Sequence, residues 1–145
     1  MLSKLVMALV VAIQGASPAL SHTTALRYAR WVDGTAREYR LDPWIFVAIV
    51  DHETRWGARA VRHEHAGSCS VGLGQINGPC NNGFVAPLQD PHVNIRRMGK
   101  FLQHLKAGCR YSCEDLGWLQ GYNPHDERYL AEVRAEVRKH HGKAP

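Results

Sequence analysis

The chain has 145 residues, of which 45% are hydrophobic and 21% are charged, and this fits one small globular domain. Its net charge of +5 comes from scattered basic side chains, with no basic block and no recognisable nucleic-acid-binding motif, so a nucleic-acid partner is not expected. A mild positive charge suits an anionic polymer or a membrane surface and identifies neither.

The first 21 residues differ in character from the rest. Lys4 is followed by an unbroken apolar run over residues 5–13 and then by small and polar residues up to Ser21. This order is typical of a secretory signal peptide, and the apolar run is short for a membrane-spanning helix, which needs about 20 residues. An uncleaved membrane anchor is the alternative. The sequence predicts a signal peptide over residues 1–21, a single domain over residues 22–145 and export to the periplasm.

Helices account for most of the pattern that follows. Apolar residues at three- and four-residue steps predict a helix over residues 23–40. Asp42 as cap and Pro43 at the first helical position begin a second helix, which Gly57 ends. Residues 57–89 are rich in glycine and predict a long irregular loop, with short helical turns near residues 71–76. Helices are also predicted over residues 90–106, 114–120 and 126–139. Since alternating strand patterns are scarce, we expect an all-α fold.

Four cysteines lie in the predicted mature domain. An even number in an exported chain indicates disulfides, and three pairings are possible. Proximity along the chain favours Cys69 with Cys80 and Cys109 with Cys113. A metal site is the alternative, but the spacings lack paired C-x-x-C motifs and no H-E-x-x-H is present. We therefore expect neither a metal nor a cofactor.

One carboxylate falls on the apolar side of the second helix. Phe46, Ile49 and Val50 stand at i, i+3 and i+4, and the next position of that stripe is Glu53. A carboxyl that faces apolar surroundings has a raised pKa, because desolvation penalises its charged form, and it can then hold the proton that a general acid needs. The alternative is a glutamate at the helix end that extends into solvent towards a nearby arginine.

Residues 41–54 (LDPWIFVAIVDHET) resemble the opening of the soluble lytic transglycosylase catalytic domain, a lysozyme-like family. In that family the helix ends in Glu-Ser and this glutamate is the catalytic acid; Glu53 occupies its place and Thr54 stands where serine is usual. Four further segments are similar to family motifs in the same order: residues 71–77 to Gly-Leu-Met-Gln, 90–99 to the next helix start, 121–123 to Ala-Tyr-Asn, and 129–133 to the closing Tyr-Val. The resemblance covers about residues 41–133 and implies a lysozyme-like fold.

Two departures from the family concern substrate fit more than chemistry. Gly74 stands where the family has methionine, and Pro124-His125 replaces the usual Ala-Gly. The first removes packing beside the glycan groove, and the second reshapes the loop after the Ala-Tyr-Asn-like motif.

The resemblance implies substrate-binding roles for four residues, Gln75, Tyr122, Asn123 and Thr54. Each has a simpler interpretation. Gln75 would bond nearby backbone, Tyr122 would be a core aromatic with a satisfied hydroxyl, Asn123 would be a turn residue, and Thr54 would only stabilise the helix end. Among the tryptophans, Trp56 is the candidate for stacking on a sugar, although most are expected in the core.

The family cleaves the bond between N-acetylmuramic acid and N-acetylglucosamine, so the resemblance implies peptidoglycan glycan strands as substrate and 1,6-anhydro ends as product. A goose-type lysozyme shares the fold but hydrolyses with water, and a second carboxylate would mark it. Asp51 faces the wrong way for that role, and the sequence does not place Asp33, Asp115 or Asp126 in the groove. A non-catalytic wall-binding protein is the third possibility. The resemblance also suggests a monomer that serves a secretion or conjugation machine of the cell envelope.

Overall fold

The computed structural model describes residues 1–142 of the chain. Within them lie six α-helices, two short 3-10 helices (His65–Gly67 and Gly117–Tyr122) and three strands. The α-helices are α1 Lys4–Ala16, α2 His22–Tyr39, α3 Pro43–Glu53, α4 Asn82–Leu88, α5 Pro91–Gly108 and α6 Tyr129–Gly142. The strands are β1 Val61–His63, β2 Ser68–Val71 and β3 Ile76–Pro79.

The described chain is mostly helical, as predicted, but it also contains a small sheet that the sequence did not predict. Residues predicted as an irregular loop form a three-stranded antiparallel sheet in the order β1-β2-β3, in which Val71 pairs with both Val61 and Ile76. Strands of three or four residues are too short to show an alternating pattern, and β1 is exposed throughout, so no periodicity marks it. Helix α4 also lies in the predicted loop.

Both Asp-Pro helix starts are confirmed. The Asp42 carboxylate accepts a hydrogen bond from the backbone N–H of Trp44, and α3 begins at Pro43. Asp90 accepts from two backbone N–H groups in the first turn of α5. A side-chain acceptor at the cap satisfies N–H groups that the helix leaves unpaired, and this fixes where each helix begins.

Helix α3 runs through the core, and its residues 44–50 are all buried. It packs against α1, α2 and α6.

Four apolar residues of α1 are buried, Val6, Leu9, Val10 and Ile13, so the predicted signal segment is packed in this structure. Its cleavage after Ser21 stays a prediction. Over residues 1–142, none of the helices combines the length and apolar character needed to cross a membrane.

Asn94 of α5 joins the helix to the sheet region. It is 0% exposed, accepts a hydrogen bond from the Gly74 N–H at 2.9 Å, and donates to the carbonyls of Val71 at 2.8 Å and Leu88 at 2.9 Å. Gly72 lies beside it with φ +74°, and a Cβ there would lie 2.1 Å from the Asn94 amide nitrogen. Only glycine fits this close approach.

The predicted disulfide pairing is confirmed. Cys69 of β2 is bonded to Cys80, just after β3, with their Cα atoms 5.0 Å apart. Cys109 is bonded to Cys113, which closes the loop after α5, with their Cα atoms 4.9 Å apart. The first bond clamps the sheet, and the second clamps the segment that leads to the Gly117–Tyr122 helix.

Candidate active site

A groove of about 940 Å³ runs between the sheet and helix α5, a size that suits a small-molecule or sugar ligand. The sheet region lines one part of it, through residues of the segments 62–70 and 75–77. Helix α5 and residues 121–125 line another part, and Glu53 reaches it from the end of α3. The groove therefore brings together four separate parts of the sequence.

The side chain of Glu53 is only 7% exposed and does not extend freely into solvent. Burial raises the pKa of its carboxyl group, while the charges of His52 and Arg62 oppose this and those of Asp126 and Glu64 add to it. The nearest cation, the Arg62 guanidinium, is 4.0 Å from a carboxylate oxygen, beyond hydrogen-bond distance. A carboxyl group that is mostly dehydrated and not directly bonded to a cation keeps its proton to higher pH than an exposed glutamate does.

Tyr122 lines the groove, and its hydroxyl donates to the Gly74 carbonyl at 2.6 Å. Burial and the nearby Glu53 raise the pKa of this hydroxyl well above its usual value, so it stays protonated. The ring stacks on Tyr129, with centroids 6.1 Å apart, and contacts Phe101 at 5.3 Å. Tyr122 therefore has features of both interpretations. It lines the groove, as a binding residue would, and its hydroxyl is hydrogen-bonded to backbone, as in a core aromatic.

The other predicted binding residues are placed differently. Gln75 lines the groove, but its amide nitrogen donates to two backbone carbonyls, at 3.1 and 3.4 Å. Asn123 also lines the groove. Thr54 does not, and its hydroxyl donates to the Leu73 carbonyl at 2.9 Å, which anchors the end of α3. Their roles in substrate binding stay predictions. Gln75 and Asn123 lie in the groove where a substrate could reach them, whereas the Thr54 hydroxyl is hydrogen-bonded to backbone.

The glycine that departs from the family motif has no room for a side chain. A Cβ at Gly74 would lie 2.5 Å from both Cγ and Sδ of Met98 and 2.7 Å from the Tyr122 hydroxyl. Met98 of α5 is fully buried and fills this space. The Met98 side chain of α5 therefore occupies the space that a side chain at position 74 would fill.

Glu64 also lines the groove, although it was not among the residues predicted from the sequence. Its Oε1 accepts hydrogen bonds from Arg62 Nε at 2.7 Å and Ser70 Oγ at 3.0 Å, and these bonds lower the pKa of the carboxyl. The groove thus combines a carboxyl with a raised pKa, Glu53, and one kept ionised, Glu64. Because Glu64 follows a strand that the sequence did not reveal, no sequence signal marked it.

The aspartates considered as second carboxylates lie outside the groove lining. Asp33 bonds Arg37, and Asp115 bonds Arg134 and Arg138. Asp51 lines a separate hollow with His52 and Arg55, which agrees with the expectation that it faces away from Glu53. Asp126 influences Glu53 through its charge but does not line the groove.

Helix α5 gives the groove a basic face. Arg97, Lys100 and His104 stand at i, i+3 and i+7 and line it from one side of the helix. Arg62, His65 and His125 add basic or imidazole groups from other segments. Arg97 and Lys100 form no salt bridge with any residue of the described range 1–142, so their charges are available to an anionic ligand.

The tryptophans do not line the groove; its aromatic side chains come from Tyr122 and Phe101. Trp56 is 2% exposed, and its ring nitrogen donates to Asp51 at 2.6 Å. Because Trp56 is buried outside the groove, it is not placed to stack on a sugar there. Its burial agrees with the expectation that most tryptophans belong to the core.

Within residues 1–142, two groups of side chains have potential metal ligands close together, His63 with Cys69 and Cys80, and Asp51 with Glu136 and His140. In the first group the two sulfurs are joined in a disulfide, so neither is a thiolate that could bind a metal. None of the three residues of the second group lines the groove, and Asp51 and Glu136 line the separate hollow.

Comparisons of the chain with family models, with curated proteins and with solved structures found no match.

Proposed function

We propose that the protein is a lysozyme-like lytic transglycosylase that cleaves the β-1,4 bond between N-acetylmuramic acid and N-acetylglucosamine in peptidoglycan strands. The observation that carries the proposal is Glu53, a carboxyl 7% exposed whose pKa burial raises, at the edge of a groove large enough for sugar rings. The resemblance of residues 41–54 to the family's acid-bearing helix supports the same assignment.

Glu53 serves both steps of the reaction. Its protonated form donates to the bridging oxygen as the bond between that oxygen and C1 breaks. The N-acetyl carbonyl of the muramic acid stabilises the cationic carbon, as in other substrate-assisted glycosidases. Ionised Glu53 then takes the proton of the 6-hydroxyl, whose oxygen bonds C1 and closes the 1,6-anhydro ring. Glu53 ends the cycle protonated, and no water is consumed.

The basic face of α5 fits this substrate. Peptidoglycan strands carry carboxylates on their stem peptides, and Arg97 and Lys100, which form no salt bridge within residues 1–142, place positive charge along the groove. We further propose that residues 1–21 direct export to the periplasm, where the substrate lies, and that a secretion or conjugation machine is the partner that uses local opening of the wall.

A hydrolytic outcome, as in goose-type lysozymes, is the second candidate, and Glu64 is the observation that favours it. An ionised carboxylate beside a protonated one is the arrangement by which glycosidases activate water. A non-catalytic binding protein is the third candidate, and it predicts that purified sacculi are bound without being cut.

Glu53→Gln tests the proposal. We expect wild type to release soluble fragments from purified sacculi and the variant to lose at least about 100-fold of that activity, since an essential general acid contributes 10²–10⁴-fold. The matched control is Asp51→Asn, which removes a partly buried carboxyl of the same helix outside the groove and should keep full activity. Release unchanged by Glu53→Gln, or binding of sacculi without release by wild type, would refute the enzymatic assignment.

A further inference from the structure

Glu64 holds a defined position opposite the acid. It follows β1 directly, and its backbone N–H donates to the Ser68 carbonyl at 2.9 Å, which fixes the turn between β1 and β2. Glu53 reaches the same groove from the end of α3. A helix end and a sheet turn therefore present one carboxyl each to the same space.

The Arg62 guanidinium is hydrogen-bonded to Glu64 and lies near Glu53. Arg62 Nη2 is 4.0 Å from Glu53 Oε2, and Arg62 Nε is 2.7 Å from Glu64 Oε1. Across the guanidinium, these contacts place the two oxygens at most about 9 Å apart, and glycosidases in which a carboxylate activates water keep their carboxyl groups about 6.5–9.5 Å apart. This upper limit falls within the range of carboxyl separations that accommodates a sugar carbon and a water.

Hydrogen bonds orient Glu64 from one side. Asn77 donates to Ser70 Oγ at 3.3 Å, Ser70 donates to Glu64 Oε1 at 3.0 Å, and Arg62 donates to the same oxygen. Oε2 accepts no hydrogen bond from any residue in the range 1–142. The side chain is 32% exposed, so this second oxygen is open to water of the groove. A carboxylate held by one oxygen and open at the other is suited to position and deprotonate a water.

We propose that Glu64 is a second catalytic group, which activates water against the cleaved sugar and gives the enzyme a hydrolytic branch beside the anhydro branch. This inference rests on the proposed function. In the hydrolytic branch, Glu53 gives its proton to the bridging oxygen as the C1–O bond breaks. The water oxygen bonds C1, and the water proton passes to Glu64, so the product is a reducing end. The two branches share Glu53 and differ in what attacks C1.

The test is the ratio of reducing ends to 1,6-anhydro ends after digestion of purified sacculi, measured by mass spectrometry after borohydride reduction. We expect wild type to form both ends and Glu64→Gln to lower the reducing ends at least about 10-fold relative to the anhydro ends. Glutamine keeps an oxygen that can accept from Arg62 and Ser70, so the fold is retained. Glu64→Asp, with a shorter carboxylate, should keep part of the reducing ends. The control is Glu114→Gln, an exposed glutamate outside the groove lining, which should leave the ratio unchanged.

The outcomes separate the two proposals. A ratio that Glu64→Gln leaves unchanged, or wild type that forms anhydro ends only, overturns the role of Glu64 and leaves the transglycosylase in place. Products that do not depend on Glu53 overturn the proposed function itself. A wild type that forms reducing ends only, lost in Glu64→Gln, supports Glu64 and replaces the anhydro branch with hydrolysis.

Discussion

Replacing the buried Asn94 tests how the sheet is held on α5. Asn94→Ala removes one acceptor and two donors, so three backbone groups lose their Asn94 partner, the Gly74 N–H and the carbonyls of Val71 and Leu88. An unsatisfied buried polar group costs about 1–3 kcal/mol. A water that enters the space left by the amide recovers part of this, so we expect the free energy of unfolding to fall by about 3–5 kcal/mol.

Urea unfolding followed by tryptophan fluorescence measures this change through the midpoint and slope of the transition. Asn82→Ala is the control, because Asn82 is exposed at the start of α4, and a change within about 0.5 kcal/mol is expected. Asn94→Asp keeps the shape but turns an oxygen towards two carbonyls, so it should lose at least as much stability at neutral pH. A loss below about 1 kcal/mol for Asn94→Ala would refute the account of Asn94 as the link between helix and sheet.

Three further predictions concern the site and its surroundings. Gly74→Ala should lower the free energy of unfolding by about 1–3 kcal/mol, because the added methyl group meets Met98, and calorimetry checks this. Burial raises the pKa of Asp51 from 3.8 to about 6, so its ionised form opposes folding; Asp51→Asn should therefore raise the melting temperature, with a gain that begins above pH 3.8 and is complete above about pH 6. Equal gains at all pH values would contradict this sign. The charge of Arg62 lowers the pKa of Glu53, so Arg62→Gln should move the alkaline limb of the pH–activity profile to higher pH, and a shift to lower pH would count against Glu53 as the acid.

The parts of the fold that the sequence predicted are those fixed by local contacts. Asp42 and Asp90 each cap a helix through N–H groups two or three residues away, so the starts of α3 and α5 could be predicted from short motifs. The sheet depends on pairs such as Val61 with Val71, ten positions apart, in strands too short to show a pattern. Those pairings form only through the surrounding tertiary structure.

In the groove, too, features set by local sequence could be predicted and features set by tertiary packing could not. The burial of Glu53 follows from helical periodicity on α3, and the structure places it on that side. The position of Glu64 depends on the turn between two unpredicted strands, and the basic face of α5 depends on which side of that helix meets the groove. Periodicity shows which residues of α5 are polar, but only packing shows that Arg97 and Lys100 line a groove.

The environment of Glu53 is assembled from parts of the chain that are distant in sequence. The acid ends α3, while Arg62 and Glu64 belong to the sheet region and Asp126 precedes α6. Before these segments dock, the carboxyl is hydrated and ionises like that of any exposed glutamate. Under the proposed function, a newly made or partly unfolded molecule therefore lacks the raised pKa that favours the proton-donating form of Glu53. Under that same proposal, completion of folding creates the environment of the acid, so the native fold and the proton donor are gained together.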